Sequence, residues 1–145
     1  MLLAVMREVR NFFIATSESG DFEIKNEVIN LKGEYLRGQY VAVTGSLLND
    51  GVYRLVSDDL WLVSAVDERF TGVVYGLRVP RDFAELVDEI AAWNAQNAPS
   101  DKVSESFGTY SYHRATDAQG GAATWQSVFG RRLTPYRRMF AEVLL

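Results

Sequence analysis

Leu2, Val5, Met6, Val9, Phe12 and Phe13 recur at helical spacing, with Arg7, Glu8 and Arg10 opposite them. This pattern predicts a short amphipathic helix that lays one stripe on the rest of the chain. The stretch TSESGD (16–21) reads as the turn that ends it. From Phe22 to Leu77 the period shortens. FEI, VINL, QYVAVTG, GVYRLV, LWLVSAV and GVVYGLRV are short runs rich in Val, Ile, Tyr, Phe and Trp, as half-buried strands are. Between them stand Lys25-Asn26, Lys32-Gly33, Asn49-Asp50-Gly51, Ser57-Asp58-Asp59 and Asp67-Glu68. Asn49-Asp50-Gly51 is the strongest break, because Asp-Gly supplies the positive φ angles of a tight hairpin. These runs predict a small antiparallel sheet curled into a partial barrel, with an open sheet packed on helices as the alternative.

Val79-Pro80 marks the end of the β portion, since proline disfavours helix before it and is tolerated in a first helical turn. Beyond it Phe83, Leu86, Val87, Ile90 and Ala91 form one helical face, with Asp82 and Glu85 near the positive end of the helix dipole. This helix is predicted to run to about Asn97, ahead of Ala98-Pro99-Ser100. Thr124 can cap a last helix carrying Trp125, Val128, Phe129, Leu133, Tyr136 and Phe140 on one side. Pro135 removes a backbone donor inside that pattern, so a kink or break is expected at Thr134-Pro135. The fold class is therefore α+β: an N-terminal helix, a small antiparallel sheet or partial barrel, then two helices bracketing an extended hairpin-like loop. Residues 1–78 hold the first helix and the β portion, and 79–145 the helical portion with its loop, within one compact domain. No internal repeat or low-complexity tract is present.

The chain has 145 residues, 48% of them hydrophobic, with 12% aromatic and 23% charged residues. That is ample for one packed core. A net charge of -4 argues against a dedicated nucleic-acid binder. There are no cysteines, which removes disulfides, thiolate metal sites and cysteine nucleophiles. The opening MLLAVMREVRNFF is too short an apolar run for a signal peptide, and no stretch approaches the roughly 18 apolar residues of a membrane span.

Candidate chemistry is sparse. His113 is the only histidine and has no carboxylates at metal-ligand spacing, so it reads as a surface residue on an alternating strand. The pairs Asp58-Asp59 and Asp67-Glu68 fall in turns, without the spacing of a calcium loop. Gly120-Gly121 precedes a helix start but lacks the lysine and hydroxyl residue of a phosphate loop. Arg131, Arg132, Arg137 and Arg138 form a basic stretch. It is either a solvated helix face or a contact to an acidic partner or nucleic-acid backbone. No catalytic signature stands out, and neither a cofactor nor enzymatic activity is expected.

One stretch, SESFGTYSYHRA (104–115), is too long and too aromatic for a plain helix–helix turn. In extended backbone Tyr110 and Tyr112 share one face, with Thr109, Ser111 and His113 on the other. A hairpin there would show bare edges, to which a neighbouring copy could add by strand pairing, with the tyrosines as rigid contact area. Alternatively, the aromatics fold back as intramolecular core.

SESFGTYSYHRAT, followed by ATWQSVFGRRLTPYRRM, resembles small bacteriophage and prophage morphogenesis proteins of the head–tail connector (adaptor) group. The shared features are a helix with a DEI-like core, here Val87-Asp88-Glu89-Ile90, the serine–aromatic segment, and a closing basic–aromatic motif, here Tyr136-Arg137-Arg138-Met139. GQYVAVTGSLLNDGVYRL is similar to a run in the same group, so the likeness covers roughly the last two-thirds of the chain. It implies a non-catalytic virion component, assembled in the bacterial host cytoplasm. Such a subunit would form a ring with its own copies, meet portal and tail proteins, and let DNA pass without sequence-specific binding or any membrane contact. Ser104, Glu105, Ser106, Phe107, Gly108, Tyr110 and Tyr112 would form the inter-subunit segment, and Arg131, Arg132, Arg137 and Arg138 a contact to a partner or to DNA. The chain departs from all-helical adaptors in its large β portion. The alternative function is a small β-barrel module binding a peptide or single-stranded nucleic acid through Tyr35, Tyr40, Tyr53, Trp61 and Tyr75.

Overall fold

The computed structural model of the chain describes residues 1–56, 60–97, 104–107, 110–113 and 123–139, and for 104–107 and 110–113 it describes the backbone. Helix α1 (Leu2–Val9) is followed by strands β1 (Ile14–Lys25), β2 (Val28–Ile29), β3 (Tyr40–Thr44), β4 (Gly51–Arg54) and β5 (Glu68–Leu77). Helix α2 (Arg81–Gln96), strands β6 (Ser104–Phe107) and β7 (Tyr110–His113), helix α3 (Trp125–Leu133) and a 3₁₀ turn (Thr134–Tyr136) complete the order. The protein is α+β. Its main sheet has five antiparallel strands in the order β2-β1-β5-β3-β4 and curls into a half-barrel.

The curl has a local cause. Gly20 faces Gly72 across β1 and β5, and Gly45 (φ 85°) lies against Gly72 at the end of β3. A Cβ on Gly45 would come within 2.8 Å of the Gly72 Cα, and one on Gly72 would run into the Thr44 carbonyl. Two backbones meet here with no room for side chains, which is the usual mark of a sharp bend in a sheet.

Each face of the sheet covers its own core. On one face α1, α2 and α3 pack Val5, Met6, Val9, Phe83, Leu86, Ile90, Phe129 and Leu133 against Ala42 and Leu77. On the other, Phe22, Ile24, Val41, Val43 and Val74 close over Ile29, Leu55, Leu62 and Ala65. Strand β3 divides the two, with Val41 and Val43 turned one way and Ala42 the other, all three fully buried. Each fully buried Leu, Ile or Phe side chain contributes about 1.5–3 kcal/mol, so the cores fix the helices to the sheet.

Polar and aromatic contacts set the angles of the helical layer. Phe83 stacks at 4.7 Å from Phe13 and 5.0 Å from Tyr136, a three-ring cluster that joins the exit of α1, the start of α2 and the 3₁₀ turn. Asn11, almost fully buried, donates to the Tyr136 carbonyl at 3.0 Å and accepts from the Phe13 N–H. The Tyr136 hydroxyl donates to Asp82 at 2.7 Å.

Several expectations hold, and others need correction. Helix α2 starts directly after Pro80. Thr124 caps α3 in a reciprocal box with Ser127, and the helix gives way to 3₁₀ geometry at Thr134-Pro135. Phe140 lies outside the described residues. By contrast, 16–21 is no turn: it runs within β1, paired with β5. Its side chains point to solvent or are half-buried, so no apolar alternation announces it. LWLVSAV forms only one isolated bridge, Val28 to Trp61. It is a cover whose Leu62 and Ala65 plug the second core. The positive φ of the β3–β4 connection falls on Gly45, and Gly51 begins β4.

Candidate functional site

Strands β6 and β7 form a two-stranded antiparallel sheet, and among the described residues it shares no strand with the half-barrel. Its register pairs Ser104 with His113, Glu105 with Tyr112, Ser106 with Ser111 and Phe107 with Tyr110. Directly opposed residues of a ladder occupy one face. Glu105, Phe107, Tyr110 and Tyr112 therefore hold positions of one face, and Ser104, Ser106, Ser111 and His113 of the other. Gly108, Thr109, Asp58, Asp59 and Gly120-Gly121 lie outside the described residues. Among the described residues β6 and β7 each have one strand partner.

Within the C-terminal arginine stretch, Arg132 and Arg137 are paired inside the fold. Arg132 makes a fork to Glu89 at 2.6 and 2.9 Å, joining α3 to α2. Its hydrogen bond, aided by its charge, holds the Glu89 carboxyl below the ordinary carboxylate range. Arg137 donates to the Glu8 carboxylate at 2.9 Å and to the Glu8 carbonyl at 3.1 Å. The Arg138 backbone N–H bonds to the Val9 carbonyl. Arg131 is exposed on α3. Arg132 and Arg137 thus tie α3 and the residues after the 3₁₀ turn to α2 and α1.

The aromatic residues considered for stacking are engaged within the fold. Tyr35 donates to Glu18, Tyr53 to the Asn49 carbonyl and Trp61 to Glu27. Tyr40 lies beneath Arg54, and Tyr75 packs on the helical core. Burial pushes the Tyr35 phenol up, and the Glu18 hydrogen bond and charge push it further. Burial alone would raise the Glu18 carboxyl, but the N–H groups of Lys32 and Gly33, the Tyr35 hydroxyl and the Lys32 charge together hold it low. Glu18 acts as a clamp that holds residues 32–35 alongside β1.

The turn acids Asp67 and Glu68 also have structural partners. Asp67 accepts from the Asn26 N–H at 2.8 Å. Glu68 accepts from the Ser46 hydroxyl, the Leu47 N–H and the Asn49 amide, and the Ser46 bond leads in keeping its carboxyl below the usual range. Among the described residues no three His, Asp or Glu side chains converge on a common point for a metal.

Two surface features went unremarked in the sequence. The loop 45–50 carries Leu47 and Leu48, 91% and 62% exposed, on a frame of buried Ser46 and Asn49. At the opposite end of β3, a groove of about 950 Å³ opens between the strand ends and α2, lined by Leu36, Arg37, Tyr40, Arg54, Arg78 and Ala84 among others. The leucine pair was legible only as part of a hairpin, because exposure depends on a frame that the sequence does not show. Among the described residues no helix is long and apolar enough to cross a membrane. In comparisons with family models, curated proteins and solved structures, nothing matches this chain.

Proposed function

We propose that the chain is a non-catalytic structural subunit of a phage or prophage head–tail junction, which joins further copies of itself into a ring through the hairpin at 104–113. The observation that carries this reading is the hairpin's isolation as a two-strand sheet. Its outer N–H and C=O groups have no strand partner among the described residues. Bare edges of this kind are templates for strand addition by another chain. The aromatic positions of one face would supply rigid contact area, and the likeness of this segment to connector proteins points the same way. Portal and tail proteins are the further partners on this reading, with DNA passing through the ring. The binding-module alternative has less support, because Tyr35, Tyr40, Tyr53, Trp61 and Tyr75 are all engaged within the fold.

Sedimentation velocity and negative-stain microscopy over rising protein concentration test the proposal. The expected result is closed rings of many copies for the intact chain. Deletion of residues 106–112 should leave monomers with the same unfolding midpoint. A strictly monomeric intact chain at high concentration, unmoved by added portal or tail protein, overturns it.

A further inference from the structure

We infer that the loop 45–50 is a knob that docks into the groove beside α2 of a second copy, giving a head-to-tail contact separate from the hairpin. This inference rests on the ring reading above.

The knob is built to hold its leucines outward. Ser46 accepts from the N–H groups of Leu48 and Asn49 and donates to Glu68. Asp50 accepts from the Ser46 N–H, and Asn49 bonds the Val66 backbone through both its amide N–H and its carbonyl. Asn49 is 2% exposed. A loop tip this heavily hydrogen-bonded leaves Leu47 and Leu48 little freedom to fold back, so their apolar surface stays in water until a partner covers it. Val66, 48% exposed, widens the patch.

The second copy is chosen by complementarity. Asp50, Asp67 and Glu68 stand at the knob end against Lys25, once Arg69 is counted with its partner Glu23. The groove carries Arg37, Arg54, Arg78 and Arg81 against Glu34, Glu85 and Asp88, and Arg81 is already paired to Glu85. Its floor includes Tyr40, Ala84 and Val87. An apolar knob with an excess of acids therefore meets a partly apolar groove in which Arg37, Arg54 and Arg78 outnumber Glu34 and Asp88. The two lie at opposite ends of β3, about 13 Å apart along the strand, so one copy cannot fill its own groove with its own knob. Contacts between unlike patches repeat from copy to copy and close into rings when the rotation permits.

The chain has no cysteine, so single thiols report the contact cleanly. Leu48→Cys and Ala84→Cys are made separately in the full chain, mixed in equal amounts and oxidised, with ring formation followed in parallel by sedimentation. The expected result is at least tenfold more mixed disulfide dimer than either same-variant dimer. Rings without the mixed dimer overturn the knob contact and leave the ring reading standing. Mixed dimer with open chains and no rings upholds the contact and overturns the ring reading. Leu48→Cys pairing mainly with itself, or no cross-link at all, overturns the contact.

Discussion

Gly72 occupies the tightest point in the fold, facing Gly20 on β1 while its Cα lies against Gly45. Any side chain there must displace the Thr44 carbonyl or the Gly45 backbone. Neither is the free end of a flexible group, so the cost is that of overpacking plus a bent ladder. Gly72→Ala is expected to destabilise the protein by about 1–3 kcal/mol, measured as a lower urea midpoint. A Gly51→Ala control should change little, since Gly51 has no positive φ and its nearest neighbour is a tyrosine ring at 3.7 Å. The contrast inverts the sequence expectation, in which Asp50-Gly51 was the special position. That expectation took the turn chemistry as intrinsic to the dipeptide. In the fold Asp50 is spent on the Ser46 N–H, and the strained angle moves to Gly45, where backbone meets backbone. Arg132 and Arg137 give a similar lesson, because their partners Glu89 and Glu8 lie far away in sequence. A run of arginines shows charge, but not which carboxylates consume it.

At the level of elements, α2 and α3 were legible because their start signals, Pro80 and Thr124, are local. By contrast α1, expected to reach Phe13 and end at 16–21, stops at Val9 with Arg10 in a left-handed conformation. Thr124 caps α3 through its side chain and Ser127 returns the bond. Thr124→Ala should therefore lower stability by about 1 kcal/mol, read from thermal unfolding, with Thr124→Ser nearly neutral. Strands were legible where β-branched and aromatic residues feed a core. YVAVT became β3, buried on both faces, whereas 16–21 lies in a ribbon with solvent beside it and shows no pattern. The apolar run at 60–66 misled in the other direction, since covering a core needs apolar residues without needing a ladder. Strands β6 and β7 were readable as extended backbone from their alternation. The clamp from Glu18 to Lys32, Gly33 and Tyr35 gives a pH prediction. The carboxyl is held below its unfolded value, so its contribution is present above about pH 4.3 and is lost as pH falls through the lowered folded value. Denaturant titrations should find the native chain more stable than Glu18→Gln at pH 7, with the gap closing below pH 4.

For the whole molecule, two cores set back to back across β3 leave surfaces at both ends of the sheet. The leucine knob lies at one end and the arginine-lined groove at the other, while the hairpin forms a sheet of its own. On the proposed ring reading, loss of the hairpin should leave monomers, loss of the knob should only weaken the rings, and salt should act mainly on the knob, where charges rim the contact. The Glu18 clamp bears on the same question of which edges stay open. Residues 32–35 are held alongside an outer edge of β1 that β2 pairs only at Ile24 and Lys25. Asn30 and Glu23 exchange bonds across the same gap. Acid that unlatches this flank would bare a long run of unpaired amides along β1, a template for adding strands from other chains. Below pH 4 the first sign of trouble should then be fibrous precipitation, ahead of any loss of helical signal.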